Sequence, residues 1–284
     1  LSLFIFYFKN KEDGINLEKI DILSLSLEEL EAELINIGEK KFRAKQIFQW
    51  LHVKQVREFD DMSNISLELR TKLKEKFCLK SLIIARRLES CIDNTVKYLY
   101  RLSDGCCVET VLMEYNHGLS LCVSTQVGCK MGCRFCASTI AGFERNLEPS
   151  EILLQLYETQ RDCGKRISGI VLMGIGEPLD NYRNVVKFLE LVSAPEGCGL
   201  SLRHVTLSTC GLVPMIYKLS ELKLGLTLSV SLHCPDNEGR SEIMPVNRTY
   251  NVHELIEATK AYVKQTGRRV TYEYAVIDGV NCGK

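Results

Sequence analysis

The chain has 284 residues, 45% of them hydrophobic, enough for one large domain with a smaller appendage rather than a string of small modules. Lys+Arg and Asp+Glu both number 36, which excludes a protein that gathers nucleic acid through global positive charge; any RNA contact must come from local patches. Thirteen cysteines without a cleavable secretory signal argue against a disulfide framework and for reduced thiols, metal chemistry and a cytoplasmic location.

The opening LSLFIFYF is too short to span a bilayer, so no membrane association is expected. It lacks an initiating Met, and residues 1–24 are read as a fragment edge or upstream extension of unclear role. Residues 25–80 carry helical periodicity in SLSLEELEAELINIG, EKKFRAKQIFQWLHVK and SLELRTKLKEKF, which predicts a small helical bundle. Phe48 and Trp50 are expected in its core. Lys40, Lys41, Arg43 and Lys45 suit a solvated face or a phosphate-contacting patch equally.

In residues 81–118 the runs TVKYLYRLS and VETVLMEY alternate and are separated by Asp-Asn and Asp-Gly turn signals, which predicts antiparallel hairpins. From 119 to 284 the texture becomes strand then helix. LSLCVST, SGIVLMG, RHVTLST, GLTLSVSLH and RVTYEYAVID are candidate strands; EPSEILLQLYETQRD, YRNVVKFLELV and NVHELIEATKAYVKQ are candidate helices. Such alternation specifies an α/β fold with a parallel sheet, doubly wound or closed toward a barrel.

Polar and reactive residues follow these strands directly: Cys129, Cys133 and Cys136 after the first, Gly174, Gly176 and Glu177 after the second, Ser208 and Thr209 at the end of the third, Ser231 and His233 at the fourth. Ligand sites of parallel α/β folds lie at the carboxyl ends of strands, so one composite site is expected. Cys129, Cys133 and Cys136 stand at a C-x-x-x-C-x-x-C spacing. Thiolates select zinc, copper(I) or iron–sulfur clusters. A structural zinc wants four ligands, for which Cys122 or His117 is available, giving a zinc-stabilised, non-enzymatic RNA-binding protein. A four-iron cluster on three thiolates instead leaves one iron open for a small molecule.

The cysteine pattern, with Phe135 in the aromatic slot, together with GIGEP at 174–178, resembles the radical S-adenosylmethionine (SAM) superfamily. The stretches FRAKQIFQWLH, VETVLM, CVSTQVGCKMGCRFCAS, GFERNLEPSEI, MGIGEPLDN, VTLSTCGLVP, SVSLHCPDNEGRSEIMPVN and VTYEYAVIDGVN are similar to the RlmN/Cfr family of adenine-C2 and adenine-C8 RNA methyltransferases, with STQVGC closer to the C2 branch. The resemblance implies a partial (β/α) barrel in which Cys129, Cys133 and Cys136 ligate a 4Fe–4S cluster and Gly176, Glu177, Ser208, Ser231, Leu232 and His233 line the SAM site. It implies Glu109 as proton acceptor and Cys122 as the thiol that resolves a covalent protein–RNA adduct. It further implies 23S rRNA and tRNA as substrates, an external electron donor such as flavodoxin, and a monomer.

In the family mechanism one SAM methylates a cysteine near the C-terminus and a second yields the radical that activates that methyl group. That cysteine and an asparagine completing the SAM pocket are expected beyond IDGVN, and Cys282 does not match the position. The chain is therefore read as C-terminally truncated, able to hold a cluster but unable to methylate RNA. Read without the resemblance, Cys122 is a small buried hydrophobe, Glu109 a solvated strand residue, His233 a satisfied strand-end histidine and Glu177 a helix-entry acid.

Overall fold

The computed structural model describes residues 19–282; the expectation for residues 1–24 falls mostly outside them. Strand β1 (Ile20–Asp21) pairs in parallel with β2 (Phe77–Cys78), and between them lie helices α1 (Leu27–Asn36), α2 (Phe42–His52) and α3 (Leu67–Lys76). Helix α1 opens with a capping box, Ser26 accepting from the Glu29 N–H while Glu29 accepts from the Ser26 N–H, which satisfies two donors the first turn would otherwise leave bare. Leu30 and Leu34, Ala44, Ile47, Phe48 and Leu51, and Leu69 and Leu73 face inward at helical spacing. They join the same continuous core as sheet residues Leu121, Leu172 and Leu207. Phe48 is buried as expected, whereas Trp50 is half-buried with Lys54 over its ring. His52 Nδ1, 2.9 Å from the Tyr157 hydroxyl, fixes this layer to the rest.

Strands β3 (Ile83–Glu89), β4 (Val96–Arg101), β5 (Cys107–Tyr115) and β6 (Gly118–Cys122) run antiparallel, and β6 then pairs in parallel with β9 (Gly169–Leu172). Between β6 and β9 come a short ribbon, β7 (Gln126–Gly128) against β8 (Phe143–Asn146), and helix α4 (Pro149–Cys163). The chain continues through α5 (Tyr182–Ser193), β10 (Val205–Thr209), α6 (Val213–Glu221), β11 (Thr227–Ser231), α7 (Asn237–Ile243), α8 (Val252–Thr266) and β12 (Val270–Glu273). The result is an eight-stranded sheet of order β12-β11-β10-β9-β6-β5-β4-β3, parallel from β6 to β12. The hairpin strands thus extend the parallel sheet without a break. All five expected strands and three expected helices of the repeating region are present. Helices α6 and α7 and the β7–β8 ribbon add to them.

One face of the sheet carries Leu119, Leu121, Ile170, Leu172, Val205, Leu207, Leu228 and Val230 into the helix-covered core. Because side chains alternate, the opposite face receives Glu109, Cys122, Met173, Ser208, Ser229, Ser231 and Glu273. That second face sets these polar side chains among Val111, Val171 and Met173. Among the described residues no helix is long and apolar enough to cross a membrane.

Candidate functional site

The three clustered cysteines occupy a loop whose neck is the β7–β8 ribbon. The Cys129 N–H donates to the Gly142 carbonyl at 3.0 Å, and the ribbon closes tightly enough that a Cβ on Gly128, at φ +75°, would lie 1.9 Å from that same oxygen. Within the loop the Cys136 N–H donates to the Cys133 carbonyl at 3.1 Å, and the loop is seated on α7 by Arg134 N–H to the Ile243 carbonyl at 2.9 Å. Cys133 packs with Cys210, Cys234, Ile243 and Met244. Burial pushes its thiol up to about 12, and the neighbouring Cys136 and Cys129 add to the effect; burial likewise raises Cys129. None of the three is joined in a disulfide.

GIGEP follows β9 and lies against the segment after β6. Thr125 and Gln126 N–H both donate to the Ile175 carbonyl, at 2.9 and 3.2 Å, and Ser124 Oγ accepts from the Ile175 N–H at 3.0 Å. A Cβ on Gly174 would fall 2.7 Å from the Val123 backbone, and one on Gly176, at φ +107°, 2.6 Å from the Gln126 side chain. These two glycines are required by close approach, and they leave a bare backbone cradle beside the cysteine loop.

Glu177 is buried and faces inward. Its N–H donates to Gln126 Oε1 at 2.8 Å, its Oε1 accepts from the Leu179 N–H at 3.0 Å, and its Oε2 accepts from the Cys210 N–H at 2.7 Å. Burial raises its carboxyl while these backbone donors pull it down. The side chain therefore braces the ends of β9 and β10, and what it leaves for a ligand is the backbone on either side.

On the second sheet face, Val111 of β5 pairs with Cys122 of β6, which makes Glu109 the diagonal neighbour of Cys122, roughly 7–8 Å away along the sheet. The Glu109 carboxylate is held by Lys97 Nζ at 2.7 Å. Burial pushes the Cys122 thiol up to about 11. Ser208 pairs with Ser229 and Ser231 with Glu273, and Glu273 accepts from Ser229 Oγ at 2.8 Å, with Ser208 and Ser231 at 3.3 and 3.4 Å. His233 follows with φ +54°. Its Nδ1 accepts from the Ala275 N–H at 3.0 Å, which places the proton of the neutral ring on Nε2. Burial lowers its pKa, so the ring stays neutral. The Phe135 ring meets His233 edge-on at 4.7 Å between centroids, joining the cysteine loop to the end of β11. Leu232 is half-buried between Ser231 and His233, and its N–H donates to the Glu273 carbonyl at 3.1 Å.

The structure thus gathers the cysteine loop, the glycine cradle and the ends of β10 and β11 at one end of the sheet, with Glu109 and Cys122 on the same face. His117 is stacked on Tyr115 in the turn before β6, at the opposite end of a five-residue strand and so roughly 16 Å from the loop side; this removes it as a fourth ligand. Among the described residues no three His, Cys, Asp or Glu side chains converge on one point as a single metal ion requires. The donor set nonetheless fits a larger, soft cationic core. The loop brings three thiols into one short turn, and burial raises those of Cys129 and Cys133, so a metal that binds there displaces their protons. Three residues escaped sequence reasoning: Gln126, which also donates to Asn146 and Asp180, both at 2.8 Å; Glu273; and Arg240 of α7, fully buried beside the loop. The tract SVSLHCPDNEGRSEIMPVN contains Arg240, but a lone arginine in a polar run gives no sign of burial.

Comparison with known proteins agrees with this geometry. Residues 20–79 match the ribosomal RNA large subunit methyltransferase N-terminal domain and residues 123–282 match the radical SAM superfamily. The chain is 54% identical to a probable dual-specificity RNA methyltransferase RlmN of Lachnoclostridium phytofermentans, over 93% of this chain and 74% of the relative. It is 49% identical to the corresponding protein of Clostridioides difficile, over 93% and 77%. The crystal structure of a radical SAM methyltransferase from Sphaerobacter thermophilus superposes with a TM-score of 0.88 at 39% identity, covering 93% of this chain and 78% of that one. A shared helical N-terminal unit, a three-cysteine loop after the first parallel strand and sequence identity of this extent place the chain in the RlmN family of radical SAM RNA methyltransferases, which use a 4Fe–4S cluster and SAM.

Proposed function

We propose that the reaction this chain serves is methylation of C2 of adenine in 23S rRNA and in tRNA, with Cys129, Cys133 and Cys136 as the cluster ligands. The observation that carries the proposal is the shared sheet face on which Glu109, Cys122, Ser208 and Ser231 lie, on the sheet whose strand ends hold the cysteine loop and the glycine cradle. When bound, the cluster supplies the electron that cleaves SAM reductively. The chain's own residues bind, orient and move protons around that event. The backbone of Gly176 and Glu177 and the ends of β10 and β11, through Ser208, Ser231, Leu232 and His233, form the SAM cradle. His233 offers its Nε2–H as a neutral donor.

Glu109, oriented by Lys97, stands as the proton acceptor at the target carbon. Cys122, its diagonal neighbour, is protonated at rest and must lose its proton to attack, as thiolate, the sulfur that joins protein to RNA; a disulfide forms as the carbon–sulfur bond of the adduct breaks and its electron pair leaves with the methylated adenine. None of the described cysteines is assigned the methyl-carrying role; Cys282 is exposed, with its thiol 3.8 Å from Asp278. Family membership supports an external one-electron donor such as flavodoxin, a monomer and a cytoplasmic setting.

The test is mass spectrometry of nucleosides from rRNA and tRNA of cells with the gene deleted. Loss of 2-methyladenosine, restored by the wild-type gene and not by Glu109→Gln or Cys122→Ser, is expected. Unchanged 2-methyladenosine, or loss of 8-methyladenosine in its place, would overturn the proposal.

A further inference from the structure

Arg240 is the largest fully buried side chain of the molecule's described residues, and its partners are all neutral. Nε donates to the Leu232 carbonyl at 3.1 Å, Nη1 to Asn247 Oδ1 at 3.0 Å, and Nη2 to the Cys210 and Ser231 carbonyls at 2.7 and 3.0 Å. Among the described residues no carboxylate lies within ion-pair distance of it. Glu177, on the other side of Cys210, accepts that residue's N–H and not the guanidinium. A buried charge left without a counter-charge costs several kcal/mol, and hydrogen bonds to carbonyls offset only part of that. Its guanidinium is bonded to the backbone of Cys210, which shares a buried cluster with Cys133 and Cys234. Of these, Cys133 belongs to the cysteine loop, and α7, which carries Arg240, is the element on which that loop sits.

We infer that Arg240 is the built-in counter-charge of the iron–sulfur cluster, a positioning and potential-setting residue that holds the ends of β10 and β11 while its positive charge awaits the negative charge of a core on three thiolates. The inference rests on the cluster assignment made above. A 4Fe–4S core on three thiolates is net negative and gains one more negative charge on accepting an electron. A fixed cation beside it therefore favours the reduced form and raises the reduction potential.

The experiment uses anaerobically reconstituted full-length protein and three readouts: iron per chain, midpoint potential from an EPR-monitored titration, and melting temperature with and without the cluster. Arg240→Gln is expected to lower the potential and to shrink the rise in melting temperature on loading, while Arg240→Lys, which keeps the charge, stays near wild type in potential. Asn247→Asp keeps the guanidinium and its carbonyl bonds but sets a carboxylate against Nη1, and is expected to lower the potential as Arg240→Gln does.

Arg240→Gln that loads no iron while Arg240→Lys loads supports the charge role. Wild-type potentials in Asn247→Asp, or equal shifts in Arg240→Lys and Arg240→Gln, or failure of both Arg240 variants to load when Asn247→Asp loads with a wild-type potential, overturn it. If wild-type protein takes up no iron, the cluster assignment itself falls; if it loads and the charge pattern is absent, only the role of Arg240 does.

Discussion

The Glu177 carboxylate and the Cys210 N–H meet at 2.7 Å, tying the end of β9 to the end of β10 from inside the fold. A buried backbone donor that loses a charged acceptor pays its full desolvation cost, about 1–3 kcal/mol. Two such donors, Leu179 and Cys210, depend on this carboxylate. Glu177→Ala is therefore expected to lower the unfolding free energy by about 3 kcal/mol or more, and Glu177→Gln by roughly 1 kcal/mol, since one amide oxygen remains to accept. Urea denaturation measures both. Stabilities within about 0.5 kcal/mol of wild type would show that the brace is idle.

Gly176 and Gly267 both have positive φ, +107° and +66°, but a Cβ at the first strikes Gln126 whereas the second faces open space. Gly267→Ala is expected to cost about 1 kcal/mol from left-handed strain alone. Gly176→Ala adds a steric clash and should cost about 2 kcal/mol more and abolish SAM binding measured by calorimetry on the reconstituted protein. Equal SAM affinity in Gly176→Ala and wild type would mean that this backbone is not part of the cradle.

The strand-then-helix texture made the parallel sheet legible, because buried parallel strands leave apolar runs such as SGIVLMG and GLTLSVSLH, and the cysteine spacing made the cluster loop legible, because ligands to one centre sit close in sequence. What stayed hidden depends on long-range geometry. Helix α7 spans only seven residues and is polar, so its role as the seat of the cysteine loop has no local signature. Glu177 reads as a ligand contact until the fold turns its carboxylate inward, and Glu273 gains its three serine partners only through register across two strands. The extension by β3, β4 and β5 reads as separate hairpins because pairing of β6 on both sides cannot be seen along one strand.

His52 links the helical layer to α4 through Tyr157 and is fully buried, so its pKa falls to about 3 from 6.5 through desolvation. A histidine depressed in the folded state binds fewer protons there than in the unfolded chain. Stability is then full above pH 6.5 and is lost as pH falls below it. By pH 5 the loss from His52 is expected to reach about 2 kcal/mol, and burial of His233 adds in the same direction. His52→Phe should flatten the dependence between pH 6.5 and 5, read from urea midpoints at each pH. An unchanged slope in that variant would contradict the assignment.

Cys122 is expected to resist alkylation near neutrality, because its thiol sits at about 11 and the thiolate is the reactive form. Iodoacetamide labelling followed by peptide mass spectrometry should show its rate rising about tenfold per pH unit from pH 8 to 10. The exposed Cys91 and Cys282 should label first. Rapid labelling of Cys122 at pH 7 would show that its proton is far more weakly held.

The most direct measurement is Mössbauer and EPR spectroscopy of the anaerobically reconstituted protein before and after SAM is added. About four irons per chain are expected, with one iron site whose signal changes on SAM addition, and loss of the cluster in Cys129→Ser, Cys133→Ser or Cys136→Ser but not in Cys210→Ser or Cys234→Ser. A colourless protein holding one zinc, or four equivalent irons indifferent to SAM, would contradict the account.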